Sequence, residues 1–454
     1  MGISDLRSQI SNMIRELNLR SEILLTMKHA HAQADEANPI KRAFRILGPG
    51  LITGASDDDP SGIGTYSMAG ASLGLATLWT ATLTLPLMIV VQYICGKIGM
   101  VSGRGLAGVL KHHYSRAWLY PAVIGLIIAN TINAGTDIAA IAAAINIFVP
   151  LPILALVFPI ALVILVVQVW GSYRLICRTF KWLTLTLFAY IGAALLGTRQ
   201  WGVVLKSTFI PTLRYDSQYL TTLVAILGTT ISPYLFFWQA SEEVEEEIDM
   251  GRKRVHDRKG ATDEELKNVK WDTVAGMIFC NLVFYFVILA AASTLHATGK
   301  TTIQSASEAA EALRPVAGRA AAVLFALGII GSGFLAVPVL TSSAAYAVAE
   351  TVGFKYGLNE KPRKAKAFYL VIAIATLVGV LINFIGVNPI QALFWTAVIN
   401  GVIAPPLLLV IMLVSNNKRV MGHRVNNGFT NFIGWTATAI LFLAAAGMIA
   451  TWVS

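Results

Sequence analysis

The chain has 454 residues, 56% hydrophobic and only 13% charged, with a formal net charge of +10. Soluble domains carry roughly 25% charged residues, so a water-soluble globule is excluded. The apolar stretches are continuous runs of about 20 residues rather than ~10-residue alternations, which excludes a membrane β-barrel and leaves an all-α polytopic membrane protein.

Residues 1–46, with Asp5, Arg7, Arg15, Glu16 and Arg20, read as a polar cytoplasmic segment without an apolar leader. Eleven spanning segments are then predicted, at 47–70, 73–96, 119–148, 152–170, 182–198, 219–240, 272–295, 320–349, 367–386, 389–414 and 432–453. Alternating the connections between two sides puts 29 of the 35 Lys and Arg residues on the side of the N-terminus. Only Arg199, Lys206, Arg214, Lys300, Arg314 and Arg319 fall on the other. The positive-inside rule thus predicts a cytoplasmic N-terminus and an external C-terminus, in a bacterial inner membrane. The basic excess faces anionic lipid, which argues against nucleic acid as a partner. The expected partners are the bilayer and a small substrate, with the chain acting as a monomer and needing no cofactor.

The longest connection, 241–271, is predicted as a short cytoplasmic helix followed by a mobile loop. The run Glu242 to Glu247 reads as a solvated helix end, or else as a cation-attracting mouth. Cys95, Cys177 and Cys280 show no metal-type spacing and read as ordinary buried or membrane-facing thiols without a disulfide framework. His112, His113, His256 and His423 likewise lack ligand spacing.

Two segments are interrupted. The first runs from Gly48-Pro49-Gly50 into Asp57-Asp58-Asp59-Pro60-Ser61-Gly62 before turning apolar again. One Asp at the bilayer centre costs about 2.5–3.5 kcal/mol, so three in a row call for a polar interior cavity. Pro60 removes a backbone donor and disfavours helix at Asp59. The sixth segment repeats the theme in Gly228-Thr229-Thr230-Ile231-Ser232-Pro233-Tyr234. Two broken helices five segments apart are what an inverted five-plus-five repeat places at its pseudo-two-fold axis, where freed carbonyls and helix ends hold an ion. The predicted domains are therefore the N-terminal segment 1–46, a ten-helix core 47–414 in two halves (about 47–198 and 219–414), and a tail 415–454 carrying the eleventh helix.

These residues resemble the NRAMP family of proton-coupled divalent-metal transporters over nearly the whole chain. Gly48-Pro49-Gly50 followed by Asp59-Pro60-Ser61-Gly62 is similar to the family's first-helix Asp-Pro-Gly-Asn motif. Residues 228–234 resemble its sixth-helix Ala-Thr-Val-Met-Pro-His element, and Ala134-Gly135-Thr136-Asp137-Ile138-Ala139 its third-helix Ala-Thr-Asp-Leu-Ala run. The resemblance implies a LeuT-like fold, a transporter rather than an enzyme, and metal ligands at Asp59, Gly62, Thr229 (through its carbonyl) and Ser232, with Asp58 and Asp57 adding charge. Gly62 stands where the family has Asn and Ser232 where it has Met, so the soft thioether is replaced by hard oxygen. The smaller side chains leave room for the waters that Mg²⁺ sheds reluctantly. This pattern is similar to the NRAMP-related magnesium transporters, and points to Mg²⁺ first and Mn²⁺ second.

The family's sixth-helix histidines correspond to Tyr234 and Gln239, and the acidic neighbours of Asp137 to Asn130 and Ala140. The ninth segment has no Arg within its apolar run. A relay needs groups that titrate near working pH, so proton coupling is expected to be weak or absent. Asp137, Asn130 and Asn133 form a polar stripe read as interhelical hydrogen bonding or ion pathway. Tyr234, Gln239 and Asn400 join them as possible pathway residues. Gln92 and Gln391 read as packing or vestibule residues. Three other functions are weighed. Another cargo on the same fold would be a monovalent cation, a trivalent metal or a small organic solute, the last drawing on Phe236, Phe237 and Trp238 beside the second break. An intramembrane hydrolase would need Asp137 paired with the Asp cluster. A sensor or structural protein has no need of charge at a double break.

Overall fold

The computed structural model describes residues 49–170 and 185–453. Gly48, Cys177 and the stretches 1–48 and 171–184 lie outside the described residues, as does Ser454. The principal helices are α1 (Pro49–Asp57), α2 (Pro60–Leu73), α3 (Trp79–Ser102), α4 (Leu106–His113), α5 (Arg116–Asn146), α6 (Ile153–Trp170), α7 (Ala189–Gly197) and α8 (Trp201–Phe209). They continue as α9 (Ser217–Thr230), α10 (Pro233–Asp249), α11 (Asp263–Thr294), α12 (Ala321–Val352), α13 (Lys366–Ile382), α14 (Pro389–Ser415) and α15 (Gly428–Val453). Short helical turns join them, and no strand occurs among the described residues.

Nine stretches of the described residues are long and apolar enough to cross a membrane, α9 and α10 counting as one. The two further predicted spans are the split α1–α2 and the segment ending in α7, which lies partly outside the described residues. The chain is thus an integral membrane protein that is all-helical among the described residues.

Both interruptions follow from local chemistry. Asp59 takes an extended conformation (φ −70°, ψ 167°) and caps α2, with Pro60 in the first turn, where its missing N–H costs nothing. At the second break Ile231 ends α9 (φ −114°, ψ 64°), and Ser232 is extended before Pro233 restarts the helix. The broken α1–α2 packs on α11, while α10 packs on α3. This exchange of first with seventh and sixth with second is the pairing an inverted repeat generates.

Backbone close approach sets the spacing. A Cβ on Gly54 of α1 would lie 2.2 Å from the Gly276 carbonyl of α11, and one on Gly228 of α9 would lie 2.2 Å from Gly401 N of α14. With no hydrophobic drive between helices in lipid, such small-residue seams are what allow tight association.

The connection 241–271 differs from its expected form. No separate cytoplasmic helix forms; α10 runs unbroken through the glutamate run to Asp249. A turn-rich link leads to α11, which opens with a capping box in which Thr262 and Glu265 satisfy each other's backbone amides. Nor is the glutamate run a solvated end: Glu243, Glu245 and Glu247 are buried, and Glu242 and Glu246 half-buried. The cause is that α10 packs against both α3 and α12.

Candidate ion site at the two helix breaks

The first break holds three consecutive carboxylates, Asp57, Asp58 and Asp59, with 0, 0 and 1% of their surface exposed. Asp59 Oδ1 accepts from the Gly62 amide (2.6 Å) and the Ser61 hydroxyl (2.9 Å), and its Oδ2 from Asn133 Nδ2 on α5 (3.1 Å). Asp57 Oδ2 accepts from the Cys280 thiol on α11 at 3.1 Å. By contrast Asp57 Oδ1, both oxygens of Asp58 and both of Asp137 are buried without a hydrogen-bond partner. Among the described residues no Lys, Arg or His pairs with any of these four acids.

The second break lies against the first. The Asp57 carboxylate faces the Ser232 hydroxyl. Tyr234 Oη donates to the Ser56 carbonyl (2.8 Å), and the Tyr234 carbonyl accepts from Ser343 of α12 (2.8 Å). Tyr66 Oη of α2 meets Thr230 Oγ1 at 3.3 Å. Gly62 marks the crossing: a Cβ there would sit 3.3 Å from the Asp57 carbonyl, Asp59 Oδ1 and Thr229 Oγ1 alike. The missing side chain therefore lets oxygens of both breaks come closer together than a Cβ would readily allow.

The sequence-predicted residues divide into three sets. Asp57, Asp58, Asp59, Gly62, Thr229, Ser232, Asn133, Tyr234 and Asp137 come together, Asp137 facing Asp59 and the Ser61 amide. Within this set the Ser232 hydroxyl is engaged with the Thr229 carbonyl (2.6 Å) and more weakly with Gly228 O (3.3 Å), so two expected ligands satisfy each other. Gln239 stands on the α1 side, accepting from Thr53 Oγ1 (2.6 Å) and donating to Glu243 (2.8 Å). Asn130 is directed elsewhere, donating to the Leu340 carbonyl of α12 (3.0 Å). Asn400 is buried on α14 next to Gly401, at the α9 seam, with no hydrogen bond to either break. Gln92 is buried and Gln391 exposed.

Cys280 is the residue that the sequence reading passed over. Its position at Asp57 depends on a helix pairing 223 residues apart in sequence, which no local spacing reveals. Among the described residues no three His, Cys, Asp or Glu side chains group closely enough to hold a metal ion alone. An ion at this point would need carbonyl, hydroxyl or water oxygens besides carboxylate, which suits a hard, partly hydrated cation.

The Nramp family model, described as natural resistance-associated macrophage protein-like, matches residues 50–451. The chain belongs to the Nramp family. A relative of this Nramp protein is the divalent metal cation transporter MntH of Klebsiella pneumoniae subsp. pneumoniae, 24% identical over 409 residues, covering 88% of this chain and 92% of the relative. The same transporter from Klebsiella pneumoniae strain 342 is 23% identical over the same share of each chain. Among solved structures, the manganese transporter of Eremococcus coleocola, in complex with an aromatic bis-isothiourea substituted compound, superposes with a TM-score of 0.67 at 16% identity, covering 92% of this chain and 90% of that one. Mhp1, a nucleobase-cation-symport-1 family transporter, gives 0.54 at 12% identity over 89% and 92%. The LeuT-like fold implied by the family resemblance is thereby shown. These relatives are transporters, and the Nramp chain is not an enzyme.

Proposed function

We propose that this Nramp protein moves a divalent metal cation across the membrane by alternating access, with Mg²⁺ favoured over Mn²⁺ and carried partly hydrated. The observation that carries the reading is the set of buried carboxylate oxygens on Asp57, Asp58 and Asp137 that have no partner at the meeting of the two breaks. Uncompensated buried charge is too costly to retain without a purpose, and a cation that enters and leaves supplies the compensation. Asp59 is assigned as the principal ligand. Asp57, Asp58, the Thr229 carbonyl and Ser232 are assigned as direct or water-mediated contacts, once an ion displaces the Ser232–Thr229 bond. The names of the Klebsiella and Eremococcus relatives, divalent metal and manganese, support the ionic class. Oxygen at 232 and the absence of a side chain at 62 support the harder ion.

Proton coupling is proposed to be weak or absent, because Tyr234 and Gln239 stand at the positions of titratable groups in the family motif and neither titrates near working pH. The organic-cargo alternative loses its footing. Phe236, Phe237 and Trp238 are buried in the apolar core, with Trp238 edge-on to Tyr346 at 6.4 Å. The proposed orientation has a cytoplasmic N-terminus. The test is uptake of Mg²⁺ and Mn²⁺ into proteoliposomes with internal pH recorded. Flux of either ion with little acidification is expected, and absence of both fluxes would end the proposal.

A further inference from the structure

We propose that Cys280 is a specificity-determining residue of this ion site: it pairs with Asp57 as a sulfur-bearing donor set, with Asp58 adding charge beside it, and takes thiophilic divalent ions such as Cd²⁺ and Co²⁺. The inference rests on reading residues 57–62 as the ion site.

The placement is built by the helix pair. Gly54 and Gly276 bring α1 and α11 to backbone contact. One turn further along each helix, Asp57 and Cys280 meet, with Cys280 Sγ 3.1 Å from Asp57 Oδ2. The thiol is completely buried, as are both acids. The Asp58 carboxylate also faces it. Asp57 Oδ1 and both Asp58 oxygens remain without a hydrogen-bond partner, so the thiol alone does not satisfy the acids it touches. Cys95 is the contrasting case: equally buried, it makes no hydrogen bond among the described residues.

Sulfur is a soft donor and carboxylate a hard one. Replacing the family's thioether by Ser232 therefore does not leave the site free of sulfur; a thiol approaches it from α11 instead. When a thiophilic ion binds, a metal–sulfur bond forms and the S–H bond breaks. The proton passes first to Asp57 Oδ2, the nearest acceptor, and then to water. Carbonyl oxygens of the breaks and water complete the coordination. A hard ion has little affinity for sulfur, so it is held by the carboxylates without displacing that proton.

The experiment uses the full-length protein with Cys95→Ser and Cys177→Ser, so that Cys280 is its only thiol. Titration with Co²⁺ in detergent is expected to give a thiolate-to-metal charge-transfer absorption, absent after Cys280→Ser, which keeps a donor to Asp57 at nearly the same volume. In proteoliposomes Cd²⁺ is expected to inhibit Mn²⁺ uptake, and Cys280→Ser to raise the inhibitory concentration by about tenfold or more, measured relative to the Mn²⁺ uptake that each protein sustains without Cd²⁺. No charge-transfer band in the parent protein, or a band and Cd²⁺ inhibition unchanged by Cys280→Ser, overturns the proposal. Cd²⁺ inhibition of Mn²⁺ uptake is also read on the unsubstituted protein, where no variant has to fold, and its absence there likewise overturns the proposal. A charge-transfer band without Mg²⁺ or Mn²⁺ flux would instead retire the transport reading and leave the subsite standing.

Discussion

Asp59 performs two tasks that chemistry allows to be separated. It caps α2 through Oδ1 and receives Asn133 on Oδ2, while its charge is assigned to the ion. Asn caps a helix about as well as Asp, whereas Ala at a cap costs about 1 kcal/mol. Asp59→Asn is therefore expected to abolish metal flux with little change in melting temperature, and Asp59→Ala to abolish flux and lower stability by about 1 kcal/mol. Calorimetry beside liposome uptake checks both. At the second break, Ser232→Met removes the hydroxyl now bound to the Thr229 carbonyl and adds a thioether. Cd²⁺ is expected to compete with Mg²⁺ about tenfold more effectively, a change of about 1.4 kcal/mol, read in a competition flux assay. The residues at the breaks were legible because each carries a signal within a few positions: a proline after small polar groups, and charge inside an apolar run. Cys280 and Asn133 differ only in that nothing nearby in the chain announces their partners.

Among the helices, the seam between α1 and α11 decides where the acids of the first break point. A methyl group at position 54 would collide with backbone rather than a yielding side chain. Gly54→Ala is expected to force the helices apart, at about 1–3 kcal/mol, and to weaken the Cys280–Asp57 contact. A lower melting temperature together with reduced metal flux is the expected pair of readings. Gly62 differs in degree, because a Cβ there would press on three oxygens at 3.3 Å, closer than an ordinary van der Waals contact, so that a neighbour would have to give by a few tenths of an ångström. The glutamate run of α10 shows where sequence patterning misleads. Charge density suggested water, yet the face packed against α3 and α12 takes Glu243 to 1% exposure. Burial of that kind is decided by neighbours from distant sequence, and hydropathy alone does not contain them.

For the whole molecule, hydropathy and charge asymmetry suffice to identify a helical membrane protein, and the two breaks five segments apart suffice for its architecture. The pairing of α1–α2 with α11 and of α10 with α3 gives that architecture physical form. The course of 241–271 depended on how helices continue or split, which composition reports poorly.

From Pro233 to Asp249, α10 is one uninterrupted rod of 17 residues, about 25 Å long. One end rests on the second break, and the other is clasped, since Arg252 ties Glu247 (3.0 Å) to Glu265 at the start of α11. A stiff rod held at both ends transmits tilt, so a shift that frees Ser232 for an ion must strain the distant clasp. Arg252→Gln is expected to cost about 1–3 kcal/mol by leaving Glu247 unmatched, and to change turnover rate without altering the ranking of metals. Ion occupancy in the membrane interior would then be legible at the protein's edge, where a fluorophore beside residue 252 could follow each transport cycle in real time.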